Sequence, residues 1–309
     1  MRILFAGTSD IGEKTLETLA SEHTLVGVIT QPDRPAGRHR QLQAPAIKQL
    51  LQKRFPATPL LQPEQLRDPA VLAWVQTLQP EVMVTMSYGK IVPREILELP
   101  DMLCLNVHAS LLPRHRGASP IQTAIMEGAQ ESGITIMYMA EGLDTGDILL
   151  SKKISLAPRE TAGSLTTRLA NLAPEALSEA LLLLQQGKAP RIPQSEDAIT
   201  LTQRIERSDA LLDWTRSATE LERLIRGLNP KPGAHGTVQL PSGKSLSLKI
   251  FSATVRSHET ASVSPGSFFL SQHQELLLGC GTGALLLEEV QPEGRSRMSF
   301  AAFARGHQK

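Results

Sequence analysis

The stretch RILFAGTSDIGEKTLETLASEHTLVGVIT, residues 2–30, reads as a strand, a helix and a second strand in succession. Arg2 to Ala6 is a short apolar run closed by Gly7, and Leu25 to Thr30 is a second. Between them, Asp10 and Glu13 give an acidic helix start, with Ile11, Leu16 and Leu19 recurring at helical spacing. Outward from this unit the alternation continues. Helical spacing returns at Ala46, Ile47, Leu50 and Leu51 and at Val71, Trp74, Val75 and Leu78, leading into the apolar run Val82 to Met86. Strands at Leu103 to Val107 and Ile134 to Met139 follow. Continuous apolar strands separated by amphipathic helices predict a mostly parallel sheet buried on both faces, an α/β doubly wound, Rossmann-like domain. A helix over about residues 161–186, with Leu165, Leu169, Leu172 and Leu177 along one face, closes it.

Past that helix the pattern changes. The stretch Gly187 to Asp197 carries Pro190 and Pro193 among polar residues and reads as a linker. Ser217 and Glu220 form a capping box for a helix with Leu221, Leu224, Ile225 and Leu228 on one face, stopped by Asn229-Pro230. Short strands then follow at residues 237–240, 246–251, 267–270, 276–278 and 285–290. Strands this short and this closely spaced predict a small all-β, OB-like barrel. The chain of 309 residues exceeds the roughly 100–200 of a single domain, so the expected division is 1–188, a linker over 189–204, and 205–309.

The net charge of +1 hides a segregation along the chain. No acid occurs between Arg34 and Pro63, a stretch with Arg34, Arg38, Arg40, Lys48, Lys53 and Arg54. None occurs between Arg223 and His258, where Arg223, Arg226, Lys231, Lys244, Lys249 and Arg256 lie. Such patches read either as solvated loops or as a polyanion-binding face, nucleic acid being the leading candidate. No run approaches the ~20 apolar residues of a membrane span, and the N-terminus has no room for a secretory signal, so a cytoplasmic protein without a membrane partner is expected. Cys104 and Cys280 stand far apart in apolar surroundings, which predicts buried, inert thiols rather than a disulfide or a zinc cluster. Gly7 and Gly12 lack the G-x-G-x-x-G spacing and the acid about 20 residues on that a dinucleotide site requires, so tight turning explains them better.

Polar groups appear where a buried strand reaches its C-terminal end, in the run NVHASLLPRHRG, residues 106–117. Ligands bind at such ends in open α/β sheets. Asn106 and His108 are two apart, so they share a strand face and can converge on one atom, as two donors to an oxyanion. The same residues also read as a strand-end turn former and a satisfied core histidine. Asp144, in the tight turn GLDTGDI of residues 142–148, reads alone as a turn residue bonding its own backbone. Beside His108 it would instead orient the imidazole and favour its charged form, an acid/base pair that needs no metal.

The run NVHASLLPRHRGASPIQ, followed by GITIM and then GLDTGDIL, resembles the folate-dependent formyltransferases, and the tRNA-directed branch of them in particular. The resemblance extends to Arg2–Gly7, QPDRPAGR of residues 31–38, Ser87-Tyr88-Gly89, Asp213-Trp214, Leu221-Glu222-Arg223, Asn229-Pro230 and Pro232-Gly233-Ala234. It implies 10-formyltetrahydrofolate as donor, seated along Ser110, Leu111, Leu112 and Pro113. It implies initiator methionyl-tRNA as acceptor and Asn106, His108 and Asp144 as the catalytic trio. The basic loop with Arg34, Arg38 and Arg40, together with Lys249 of the barrel, is then expected to hold the tRNA, and a monomer is expected. Ala109, His115, Lys231 and Ser9-Asp10 depart from the family's usual residues, and none of these departures touches the trio. A sugar-nucleotide N-formyltransferase is the nearest alternative. Glycinamide ribonucleotide formyltransferases, typically the first domain alone, fit less well, as do an idle nucleic-acid-binding module and a nicotinamide oxidoreductase.

Overall fold

The structure is a computed structural model that describes residues 1–36, 41–256 and 263–305. It separates into two compact units, Met1–Pro120 with Glu131–Ser155 and Thr166–Gln203, and Ile121–Gln130 with Leu156–Leu165 and Arg204–Lys309. In the first unit the strands are β1 (Arg2–Gly7), β2 (Thr24–Ile29), β3 (Arg34–Ala36), β4 (Gln41–Gln43), β5 (Leu60–Leu61), β6 (Val82–Met86), β7 (Leu103–His108), β8 (Arg116–Gly117), β9 (Glu131–Tyr138), β10 (Ile148–Ser155) and β11 (Leu201–Thr202). Helices α1 (Glu13–Glu22), α2 (Ala46–Arg54), α3 (Pro69–Leu78) and α4 (Arg94–Leu97) connect the early strands; later in the chain α5 (Pro120–Glu127) falls almost wholly in the second unit, and α6 (Ala162–Gln185) mostly in the first.

Seven strands form one sheet in the order β10-β9-β7-β6-β1-β2-β5, in which β9 alone runs antiparallel to both of its neighbours and so to the rest. The strands of its middle are buried along almost their whole length, as continuous apolar runs require when helices cover both faces. The chain leaves β1 toward β2 and β5 and then returns to β6 on the other side, so the switch point lies between β1 and β6. Tyr88 O, just past β6, ties this mouth together by accepting from Thr8 Oγ1 at 2.9 Å and Gln31 Nε2 at 2.7 Å. Local sequence explains where the elements start. Asp68 caps α3 through Ala70 N at 2.9 Å, and Pro69 pre-sets its first turn. The helix start at Asp10 opens as a single 3-10 turn over Asp10–Gly12, with no side-chain cap.

Past Arg204 the second unit contains α7 (Ala218–Gly227), whose capping box is formed by Ser217 and Glu220. It continues through β12 (Ala234–Gln239), β13 (Ser245–Arg256), β14 (Phe268–Leu270), β15 (Leu276–Gly279), β16 (Ala284–Pro292) and β17 (Met298–Ser299), and ends on α8 (Phe300–Arg305). The antiparallel order is β12-β13-β16-β15-β14, and a bridge from Gln239 to Ser267 brings the two outer strands together into an OB-like barrel. Irregular register near Ile250 and Ser252 bends the long strand β13 around the core of Trp214, Leu221, Ile225, Ile250, Leu285 and Phe300. Among the described residues no helix is long and apolar enough to cross a membrane.

One ion pair on this barrel sets a pH dependence. The Arg159 guanidinium holds the Glu288 carboxyl down to about 2, against partial burial and with the help of the Ser252 and Thr254 hydroxyls. A carboxyl depressed on folding stabilises the fold above its unfolded value of 4.5 and loses that contribution as pH falls toward 2. Glu288→Gln is therefore expected to cost about 1 kcal/mol at neutral pH, the gross shift being discounted for solvent screening at this part-exposed pair. Urea midpoints of the variant and the parent should draw together as pH falls below 4.5.

Candidate active site

β7 ends on Asn106 and His108, two positions apart and therefore on one face. Its neighbours orient both. Thr85 of the parallel strand β6 lies opposite Asn106, and Thr135 of the antiparallel strand β9 lies opposite His108. The Thr85 hydroxyl donates to Asn106 Oδ1 at 2.8 Å, which turns the amide nitrogen toward Asp144 Oδ1 at 3.1 Å. Asp144 sits on the turn between β9 and β10 with φ 54, in the left-handed region. The turn closes tightly, since a Cβ on Gly146 would stand 1.8 Å from Tyr138 O.

The Asp144 side chain is only 11% exposed, yet its charge is well met. Gly117 N–H donates to Oδ2 at 2.9 Å, and His108 Nδ1 stands 3.5 Å from the same oxygen. The latter is an ion-pair distance, beyond the ~3.2 Å of a good hydrogen bond. On the other side of the buried ring, His108 Nε2 lies 3.0 Å from the His115 carbonyl. A carbonyl only accepts, so Nε2 carries a hydrogen and Nδ1 is the nitrogen left to take up or release a proton. The structure thus brings Asn106 and His108, with the Gly117 N–H, around the Asp144 carboxylate. The second N–H of the Asn106 amide has no partner among the described residues.

Ser110, Leu111, Leu112 and Pro113 form the turn that leaves β7. Ser110 Oγ donates to Arg114 O at 2.7 Å, and Thr135 Oγ1 both donates to Ser110 O at 2.7 Å and accepts from Leu112 N at 3.1 Å. Ser110 and Leu112 are buried, while Leu111 and Pro113 are half-buried. Cys104 is buried in the same strand, and burial pushes its thiol up to about 12, as it does for Cys280. Neither is a nucleophile at neutral pH.

The basic stretches are less bare in space than along the chain. Arg34 pairs with Glu64 at 2.9 Å, Lys48 with Asp33 at 2.8 Å, and Arg54 with Glu17. In the barrel Arg226, Arg256 and Arg297 meet Glu222, Glu275 and Glu289. Lys249 on β13 has no acidic partner among the described residues, its Nζ standing 3.4 Å from Pro232 O. Arg38 and Arg40 lie outside the described residues.

Several groups around the trio escape a reading of the sequence. Thr85 looks like one more strand residue. Residues 200–202, past the proline-rich stretch, are not a loose connection: β11 pairs with β8 in parallel, Leu201 opposite Arg116 and Thr202 opposite Gly117. Thr200 Oγ1 accepts from His115 N at 2.8 Å, and Thr200 O from Arg116 N at 2.9 Å. Gly117 offers the one local signal. It has φ 118, and a Cβ there would lie 2.3 Å from Thr202 O, so only glycine lets the segment approach.

Comparison with known proteins places these residues in a family. The family described as formyl transferase matches residues 1–181, and the formyl transferase C-terminal domain matches residues 204–308. The chain is 42% identical over 308 residues to the methionyl-tRNA formyltransferase of Nitrosospira multiformis, covering 99% of this chain and 96% of that one. Among solved structures it is similar to the N-formyltransferase of Helicobacter canadensis in complex with folinic acid and dTDP-3-aminofucose. That match has TM-score 0.66 and 16% identity, and covers 94% of this chain and 99% of the other. It is also similar to HypX of Aquifex aeolicus in complex with tetrahydrofolic acid, with TM-score 0.65 and 17% identity, over all of this chain and 48% of that one. At such identities the two structures speak for the fold alone. The paired domain matches and the relative 42% identical along nearly its whole length carry the assignment: the chain belongs to the formyltransferase family.

Proposed function

We propose that the protein transfers the formyl group of 10-formyltetrahydrofolate to the free amino group of initiator methionyl-tRNA, producing N-formylmethionyl-tRNA for translation initiation in the cytoplasm. The observation that carries the chemistry is the gathering of Asn106, His108 and Gly117 N–H on the Asp144 carboxylate at the end of β7. This donor set suits a formyl carbonyl, with N–H groups for its oxygen beside a carboxylate for the amine proton. The acceptor is assigned from the relative named methionyl-tRNA formyltransferase, and the folate is supported by the similar structures that hold folates.

The methionyl nitrogen bonds to the formyl carbon, and the carbonyl π electrons move onto oxygen. Asn106 donates its remaining N–H to that oxygen and protonated His108 supplies a second donor, each typically worth ~3 kcal/mol. Asp144 stabilises the imidazolium and takes up the proton that the amine loses. The same proton passes, through water, to the folate nitrogen, which leaves with the electron pair of its bond to the formyl carbon as the oxygen's pair re-forms the carbonyl. No step calls for a metal. In this reading residues 1–188 are the catalytic domain, with Ser110 to Pro113 seating the folate, and 189–204 lead to a tRNA-holding barrel at 205–309. Arg34, Arg38, Arg40 and Lys249 contact the tRNA, and the enzyme acts as a monomer. The exposed Arg34–Glu64 pair is weak enough to be exchanged for a phosphate.

The protein, given 10-formyltetrahydrofolate, should formylate methionyl-tRNA in preference to an amino-sugar nucleotide or glycinamide ribonucleotide offered in parallel. Preference for either small acceptor sinks the reading. Affinity for the tRNA should fall steeply with salt, and Lys249→Ala should flatten the log–log slope by about 1. An unchanged slope removes Lys249 from the contact set.

A further inference from the structure

Outside the trio, the half-buried side chain of Gln194 has each of its hydrogen-bonding sites occupied by groups of the candidate site. Gln194 Oε1 accepts from Arg116 Nε at 3.0 Å and from Arg116 Nη2 at 2.8 Å. Its Nε2 donates to Asp144 O at 2.9 Å and to Gly146 O at 2.7 Å. Only an amide can do this, since a carboxylate has no hydrogen to donate and an ammonium no lone pair to accept with. Arg116 is 9% exposed and has no carboxylate partner among the described residues, so its guanidinium is tied to the Asp144 turn through Gln194.

The backbone that Gln194 grips needs holding. Asp144 is in the left-handed region at φ 54 and follows Gly142 at φ 113, a combination that a free turn rarely maintains. Two peptide carbonyls pinned by one amide fix the direction in which the Asp144 carboxylate leaves the chain. The same segment holds the opposite wall. Ile192 exchanges both backbone bonds with Ile148, and Thr202 Oγ1 donates to Arg116 O at 3.2 Å and accepts from Ser119 N at 3.1 Å. Thr200 carries the backbone of His115, whose carbonyl receives His108 Nε2. Residues 192–202 therefore brace the Asp144 turn and the 115–119 loop together.

We propose that Gln194 is a positioning residue that aims the Asp144 carboxylate at His108 and Asn106, so that the segment past α6 is part of the catalytic apparatus. The role rests on the formyl-transfer reading of the trio. Gln194→Met keeps the volume and removes all four bonds, whereas Gln194→Glu keeps the acceptance from Arg116 and loses both donations. Both are expected to lower kcat about 10- to 100-fold with KM for either substrate within about twofold, with a single cooperative thermal transition retained above the assay temperature. In an Asp144→Asn background the same changes should cost no further activity, because the residue acts through Asp144. Hydrogen exchange at Gly117, the donor to Asp144 Oδ2, supplies a readout independent of turnover and should quicken at least about tenfold in Gln194→Met while β7 amides stay as protected. Parent-like kcat, losses additive with Asp144→Asn, or unchanged Gly117 exchange would each overturn the proposal. If Asp144→Asn itself leaves turnover intact, the reading of the trio fails, and the exchange measurement still decides whether Gln194 positions the turn.

Discussion

Asp144→Asn is expected to lower kcat for formyl transfer by about 10³-fold or more, within the range lost when a positioned acid/base group is removed, with KM little changed. The side chain is an acceptor surrounded by donors: the Asn106 amide, the Gly117 N–H and the His108 ring. An amide of the same shape must present an N–H to one of them, so the site loses the proton acceptor and gains a donor facing a donor. Steady-state and single-turnover rates on methionyl-tRNA measure the effect. A kcat within tenfold of the parent removes Asp144 from the chemistry and leaves it as a turn residue.

Asn106→Ala is the second large effect, about 10²- to 10³-fold in kcat, the usual loss when one oxyanion donor is removed. Asn106→Asp should be at least as damaging, because it places a second carboxylate 3.1 Å from the oxygen that the amide now meets. Thr85→Val, which frees the Asn106 amide to rotate, should reproduce a fraction of the loss. The double variant Asn106→Ala with Asp144→Asn should be little worse than the weaker single, since residues acting as one unit are strongly non-additive. Losses that multiply would show that the two residues act separately.

Most of the first domain is legible in the sequence because its strands are continuous apolar runs between amphipathic helices, and such runs leave little choice of fold. The barrel strands are also legible, though β13 runs to Arg256 rather than 251 because a bend lets one strand serve both sides of the barrel. Most elements of two or three residues escape, including β5, β8, β11 and the β3–β4 hairpin, since so short a segment carries no periodicity, whereas β14 is marked by its apolar run. Charge is only half legible for a related reason. The acid-free stretches look bare along the chain, yet Glu64, Glu17 and Asp33 reach Arg34, Arg54 and Lys48 in space. In the site, spacing places Asn106 and His108 on one face. It says nothing of Gln194 or Thr200, whose partners lie 48 to 85 positions away and which read locally as ordinary polar residues past a proline.

That long reach has a consequence for how the protein is made. The His115 backbone is held by Thr200, 85 positions later in the chain, and Gly117 by Thr202. At about 5–20 residues per second, a ribosome needs roughly 4 to 17 seconds to pass from one to the other. Within that interval β9 and β10 emerge and supply the last strands of the sheet, while the loop that feeds Asp144 and His108 still has no partner. Synthesis thus supplies every strand of the sheet before it supplies the residues that complete the surroundings of the reacting groups.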